Sequence, residues 1–348
     1  MTRLGVDIGA THVRVAEVEV SSKAGDSGQL VAFGHAPLPR GAVQAGEVVD
    51  VSIVGAALKQ AYQQAGCTSK DVVMGVGAAN VVVRELDLPS MPMNQLRTSL
   101  PFQVQELLPM STSEALLDFF PTSEVPGETA SMLRGIMVAA PKSIVAQNLL
   151  AVENAGLRPK MVDLNAFALL RSQNVGEAAQ KITAFVDIGA RITTVVIANQ
   201  GAPRMVRILP SGGQDMSDAI ASAMHTGAQE ADDIKHSMGL GANVSADYAP
   251  AQEALGQTTR SLVESIRNTF VFYSSNNPGA PIEHVVITGG GAMLSGLGQY
   301  LASASRLPVS FGNAFSKVTM GKKVKKDLVA GHEVRAAIAV GLAFGEAR

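Results

Sequence analysis

Apolar positions along this chain follow two periods, and the periods change in the same order in both halves. The β-branched runs Leu4 to Ile8, Val13 to Val20 and Gln29 to Leu38 predict three successive strands. A helix is expected next, because Val51, Val54, Leu58, Ala61, Tyr62 and Ala65 recur on one helical face and Gly66 can end it. The run Val72 to Gly77 then predicts a buried strand. The second half repeats this order with strands at Thr183 to Ile188, Thr193 to Ala198 and Pro203 to Leu209, and a helix entered through Gly212 and Gly213. A helical block to Asn277 follows, with Leu262, Ile266, Phe270 and Tyr273 on one face. A strand running into "ITGGGA", another at "LPVSFG" and a closing helix around Val334 to Gly345 complete the half. Such alternation predicts an α/β fold with mixed sheets.

Residues 81–157 interrupt the first half with a small α/β set of their own. Strands are expected at "VVVREL", "ALLDFF" and "MLRGIMVAA", with a helical segment around Leu96 to Leu108 that Pro101 must kink or restart, and a helix after Pro141. The polar stretch Thr122 to Ser131 predicts an exposed hairpin loop. The expected division is 1–80 with 158–182 as one subdomain and 81–157 as its insertion. In the second half it is 183–215 with 283–348, and 216–282 as a smaller unit.

Composition narrows the function classes. At 348 residues, 47% of them apolar, the chain can fill more than one core. A net charge of −2 offers no electrostatic case for nucleic acid. The one basic cluster, Lys322 to Lys326, reads as a solvated loop or as a contact for an acidic lipid or partner. A single Cys67 allows no internal disulfide and no Cys/His metal cage, which fits a reducing cytosol. Asp7 falls where the apolar core of a secretory signal would lie, and no apolar run approaches the roughly 18 residues of a membrane span. The chain stops at "GLAFGEAR" without an amphipathic tail, so membrane association is expected only through a partner.

One pentapeptide occurs twice: "VDIGA" at Val6 to Ala10 and again at Val186 to Ala190. In a tight turn between strands the glycine lets backbone N–H groups close on an anion. The aspartate beside it would repel a phosphate unless a cation came between, and Mg²⁺ held by one or two carboxylates, waters and phosphate oxygens suits that place. Two such turns could clamp a polyphosphate, with Asp7 and Asp187 as the metal-facing carboxylates. Plain readings exist for each residue: the aspartates as turn caps, Thr11 and Thr193 as β-formers, His12 as an exposed side chain without a metal-binding partner, Lys235 as a solvated helix residue. The coincidence of two matched turns argues against the capping reading of the two aspartates.

The paired loops together with Ile287 to Ala292 resemble the actin, Hsp70 and sugar-kinase superfamily. The resemblance implies the duplicated ribonuclease H-like fold of actin-like ATPases. It also implies ATP and Mg²⁺ in a cleft lined by Asp7, Gly9, Ala10, Thr11 and His12 from the first loop, with Asp187, Gly189, Ala190 and Thr193 from the second. Gly212 and Gly213 would also contact the nucleotide, and Gly289, Gly290, Gly291 and Ala292 would lie against the adenosine. In "EADDIKHS", Asp232 and Lys235 occupy the places of the superfamily's Glu-x-x-Lys adenosine contact, with the shorter Asp in place of Glu. The stretches "QELLPMSTSEALLDFFP", "VDIGARITTVVIANQGAPRMVRILPSGGQDMSDAIA" and "AAIAVGLAFG" narrow the resemblance to the PilM family of the type IV pilus assembly platform. The insertion is of the type this family shares with FtsA.

That resemblance implies a cytoplasmic protein, peripheral at the inner face of the membrane, that docks the N-terminal peptide of a PilN-like membrane protein. Pilus motor ATPases as further partners, a homo-oligomer, and a related type II secretion role stay open. The alternatives are an FtsA-like filament protein of cell division and a sugar or metabolite kinase. "DLNAFALL" puts Asn165 where active superfamily members carry the glutamate of a Glu-Pro-x-Ala element, so slow or negligible ATP hydrolysis is expected.

Overall fold

The computed structural model describes residues 2–21, 27–127, 131–241 and 244–345. The first half opens with β1 (Thr2–Ile8), β2 (His12–Val20) and β3 (Gly28–Pro37), then the short ladder of β4 (Val43–Gln44) and β5 (Glu47–Val48). Helix α1 (Val51–Ala65) follows: Asp50 accepts a hydrogen bond from the Ile53 N–H at 2.9 Å, and Gly66 ends the helix at φ 72°. Next comes β6 (Asp71–Val76). The insertion contains β7 (Val82–Pro89), α2 (Met93–Val104), β8 (Ala115–Pro126) and β9 (Ser131–Pro141), and the chain returns through α3 (Lys142–Asn154), β10 (Arg158–Leu164) and α4 (Asn165–Gln173).

The second half runs through β11 (Ile182–Ile188), β12 (Thr193–Asn199), β13 (Ala202–Leu209), α5 (Gly213–Met224), α6 (Ala228–Met238) and α7 (Ala249–Asn276). It continues with β14 (His284–Thr288), α8 (Leu297–Ser305), β15 (Val309–Phe311), β16 (Val318–Met320), α9 (Lys326–Val329) and α10 (Ala337–Ala343). The large sheets have the orders β10-β6-β1-β2-β3-β16 and β13-β12-β11-β14-β15. In each, the strand carrying the VDIGA motif pairs antiparallel with the next strand and parallel with a later one. Helices cover both faces, which is why Leu4, Val6, Val186 and Val195 are fully buried.

Four expectations of the sequence are corrected. The segment 283–348 is divided between the halves: β14 and β15 stay in the second sheet, whereas β16 pairs with β3 and Ala337 to Phe344 are buried in the first core. Gly5 permits this: a Cβ there would lie 2.1 Å from the Ala339 carbonyl, so α10 packs with its backbone on β1. The insertion is shorter than expected, since its own core holds Leu88, Leu96, Leu100, Phe119 and Met137, whereas Ile144, Val145 and Val152 of α3 join the first core. Thr122 to Pro126 extend β8 rather than forming a loop, because their backbone pairs with β9 as far as Ser131; residues 128–130 of the expected loop lie outside the described residues. Among the described residues 216–282 has no separate core, as Ile220, Leu262 and Ile266 share one with the second sheet. Pro101 lies inside α2, which tightens into a 3₁₀ turn over Gln105–Leu107. Lys322 and Lys323 are exposed, and Lys326 begins α9.

Helices α4 and α10 lie between the two sheets and touch backbone to backbone. A Cβ on Gly341 would stand 1.8 Å from the Ala168 carbonyl. The strand ends bearing Asp7 and Asp187 therefore face the same space.

Candidate functional site

That space is a cleft of about 420 Å³ between the halves. The two hairpin turns that enter it are built alike: the Gly9 N–H donates to the His12 carbonyl at 3.0 Å, and the Gly189 N–H to the Ile192 carbonyl at 2.9 Å. Asp7, Gly9, Ala10, Thr11 and His12 line it from one side, and Asp187, Gly189 and Ala190 from the other. Gly213, Asp232, Lys235 and the glycine run Gly289 to Gly291 complete the second side.

Three of the expected residues are elsewhere. Thr193 is fully buried and its hydroxyl donates to the Ser211 carbonyl at 2.8 Å. Strand alternation presents its neighbour Thr194 to the cleft instead. Ala292 belongs to the second core. Gly212 packs under the second hairpin, where a Cβ would come within 2.5 Å of the Gly189 carbonyl and 2.6 Å of the Ala190 carbonyl. The amides of Gly213 and Gln214 are spent on those carbonyls, at 2.9 and 2.7 Å, so the start of α5 holds the hairpin in place.

The electrostatics of the two aspartates differ. Burial raises the Asp7 carboxyl above the usual carboxylate range, and Arg14, whose Nη1 lies 3.5 Å away, opposes the rise. Burial pushes Asp187 up to about 6 against the hydrogen bond from Thr288 Oγ1 at 2.9 Å, and the charge of Asp7 adds to the rise. Two carboxylates, Asp7 buried and Asp187 half-buried, that repel across a gap suit a divalent cation completed by water and phosphate oxygens. Among the described residues no group of three His, Cys, Asp or Glu could hold a metal without such outside ligands.

On α6, burial raises Asp232, but hydrogen bonds from Lys235 and Ser217, both 2.6 Å, outweigh it and hold the carboxyl below its usual range. Lys235 Nζ also donates to the Gly213 carbonyl at 3.1 Å, which ties α6 to the start of α5. Asn165, at the start of α4, lines the cleft, and its buried Oδ1 has no hydrogen-bond partner among the described residues. Gly75 and Gly77 make room for it, since a Cβ on either would stand 2.0 Å from Asn165 Oδ1 or 2.6 Å from its Nδ2.

A second concavity, about 700 Å³, lies where the insertion meets the first half. Phe120 of β8 and Phe167 of α4 form its floor with ring centroids 5.1 Å apart, and Leu116 and Val162 are exposed in it. Arg97, Asp118 and the Arg171–Asp163 ion pair supply charge.

The sequence profile described as "Type IV pilus assembly protein PilM" matches residues 5–347. The chain belongs to that family. A solved PilM-PilN type IV pilus biogenesis complex superposes with a TM-score of 0.84 at 24% identity, covering 98% of this chain and 97% of that one. MreB 5 of Spiroplasma citri bound to AMPPNP superposes with a TM-score of 0.51 at 12% identity, covering 98% and 94%. The cell division protein FtsA of Bacillus subtilis is 20% identical over 258 residues, 68% of this chain. The chain spans only 58% of that relative's length. These likenesses establish the actin-like fold. No helix among the described residues is long and apolar enough to cross a membrane.

Sequence reasoning missed Arg14, Thr194, His332 and Arg335, all of which line the cleft. Arg14 was within reach: counting outward from the hairpin turn pairs it with Asp7. Arg335 was not, because nothing local shows that the C-terminal stretch returns to the first half.

Proposed function

We propose that this chain is an ATP-binding component of a type IV pilus assembly platform, working at the cytoplasmic face of the inner membrane and docking the N-terminal peptide of a PilN-like membrane protein. The observation that carries the reading is the groove between insertion and first half, an apolar floor with charged sides that suits a short amphipathic peptide. The facing Asp7 and Asp187 hairpins support the nucleotide. Mg²⁺ between them would neutralise the phosphates and relieve the carboxylates' repulsion, with Asp232 and Lys235 turned toward the sugar.

Helix α4 joins the two sites. It starts in the cleft with Asn165 and carries Phe167 and Arg171 to the groove. Nucleotide held at about 100 times its Kd stabilises the closed form by roughly 2.7 kcal/mol, enough to shift a poised equilibrium about a hundredfold. Asn165 can orient a water but cannot take its proton, so nucleotide acts here as a structural ligand. Purified protein should turn over ATP more slowly than about 1 s⁻¹, and a partner-free rate well above that would refute the assignment.

Titration with the cytoplasmic N-terminal peptide of a PilN-like protein from the same cell tests the docking. Saturable binding is expected, with Leu116→Glu weakening it at least about tenfold by placing an unpaired charge in the groove. A peptide that fails to bind, with ATP and without, overturns the proposal.

A further inference from the structure

The first-half wall of the cleft carries more positive charge than Asp7 requires. Arg335, on the turn ahead of α10, lines the cleft, and among the described residues its guanidinium has no ion-pair or hydrogen-bond partner. Burial lowers its pKa, and the nearby charge of Arg14 lowers it further. Three imidazoles surround the two arginines. His12 and His332 line the cleft, and His35 stacks on His332 with ring centroids 4.1 Å apart. Burial, with Arg14 next in effect, pushes His12 down to about 4; burial and the stacked His35 do the same to His332. Both rings are therefore uncharged at neutral pH and can each donate one N–H. Among the described residues, buried Arg14 Nε, His35 Nδ1 and His332 Nδ1 have no hydrogen-bond partner. A half-buried cation among neutral rings, without a counter-charge, is the environment into which an anionic group fits.

The place of this wall says which anion. Asp232 and Lys235 stand on α6 of the second half, whereas Arg335 stands with His12 and Arg14 of the first hairpin. The Gly289 N–H donates to the Val334 carbonyl at 2.9 Å and pins the Arg335 turn to the glycine run. A nucleotide with its sugar at α6 and its phosphates between the hairpins directs its phosphate end at Arg335. We propose that Arg335, supported by His12 and His332, binds the terminal phosphate of the bound nucleoside triphosphate and makes the cleft prefer triphosphate to diphosphate. The planar guanidinium presents paired N–H groups to two phosphate oxygens, and the neutral imidazoles add donors without adding repulsion between cations. The inference rests on the nucleotide reading given above.

Calorimetric titration of the full chain with Mg-ATP, with Mg-ADP, and with Mg-ADP plus inorganic phosphate tests it. The wild-type chain should bind ATP at least about tenfold more tightly than ADP. Arg335→Gln should weaken ATP about tenfold to a hundredfold while ADP stays within about twofold, which also certifies that the variant is folded. Arg335→Lys, keeping the charge without the fork, should fall between. Equal affinity of the wild-type chain for ATP and ADP overturns the inference, and that measurement needs no variant. Equal losses for both nucleotides in Arg335→Gln overturn it as well. ADP with phosphate matching ATP would assign the wall to free phosphate and also overturn it. If the wild-type chain binds neither nucleotide, the nucleotide reading itself has failed.

Discussion

The two VDIGA hairpins have the same letters and the same turn geometry, yet they stand in different fields. Opposite Asp7 in the hairpin ladder is Arg14; opposite Asp187 is Thr194. The first carboxylate is partly neutralised by the protein, while the second has a threonine hydroxyl and no arginine of its own. The motif strand differs again two residues earlier. Gly5 lets α10 lie against β1, whereas the matching position in the second half is Phe185, fully buried against the α4 side of the interface. Duplication has kept the backbone and changed the surroundings of the carboxylate: Arg14 lies 3.5 Å from Asp7, whereas Asp187 takes a hydrogen bond from Thr288.

Three measurements would break or sharpen that contrast. The largest effect is expected on Mg-dependent nucleotide affinity, which Asp187→Asn should lower by about a hundredfold or more and Asp7→Asn by only about tenfold, since Arg14 remains to meet the phosphates. Equal losses would erase the difference between the halves.

A smaller effect concerns the ligand-free protein. Burial raises the Asp187 carboxyl from the ordinary value of about 3.9 to about 6 in the fold. An acid whose pKa is raised by folding binds its proton more tightly in the native state, so stability falls as pH rises from about 4 through about 6 and stays lower above. Asp187→Asn should therefore melt higher than the wild-type chain at pH 8, by a margin on the order of 1–3 kcal/mol, and no higher near pH 4. Asp7→Asn should gain less, because Arg14 already offsets part of the cost of burying that charge. Thermal melts of both variants across that range decide it.

The smallest effect belongs to Arg40, which reaches from the first half to Asp218 at 2.9 Å and the Ala228 carbonyl at 3.4 Å in the second. Both side chains are more than a third exposed, so the link is worth about 0.2–1 kcal/mol. Arg40→Ala should speed nucleotide release roughly 1.5- to 5-fold in stopped-flow chase experiments, with the equilibrium melt nearly unchanged.

Some of this was visible in the residues alone. Strand pairing across a short turn is local, so the duplicated hairpins and most of the cleft-facing residues could be read from β-branched runs ending in Asp-Ile-Gly-Ala. The same locality misled at Thr193, where a shift of one residue along a strand exchanges core for cleft, and at Ala292, whose small side chain fits a phosphate turn and a core equally well. The boundary of the insertion was misread because the apolar face of α3 says that it is buried but not against which sheet.

By itself the sequence determined the α/β class, the twofold internal repeat, the carboxylate pair and the family, since each is written in short periodic stretches. Only the tertiary structure decided that β16 and α10 return to the first sheet, that Arg14 and Arg335 meet three imidazoles beside Asp7, and that the insertion leaves an apolar groove on α4. Those facts come from contacts between residues far apart in the chain. They depend on how closely backbones approach at Gly5 and Gly341, which no local pattern of polarity records.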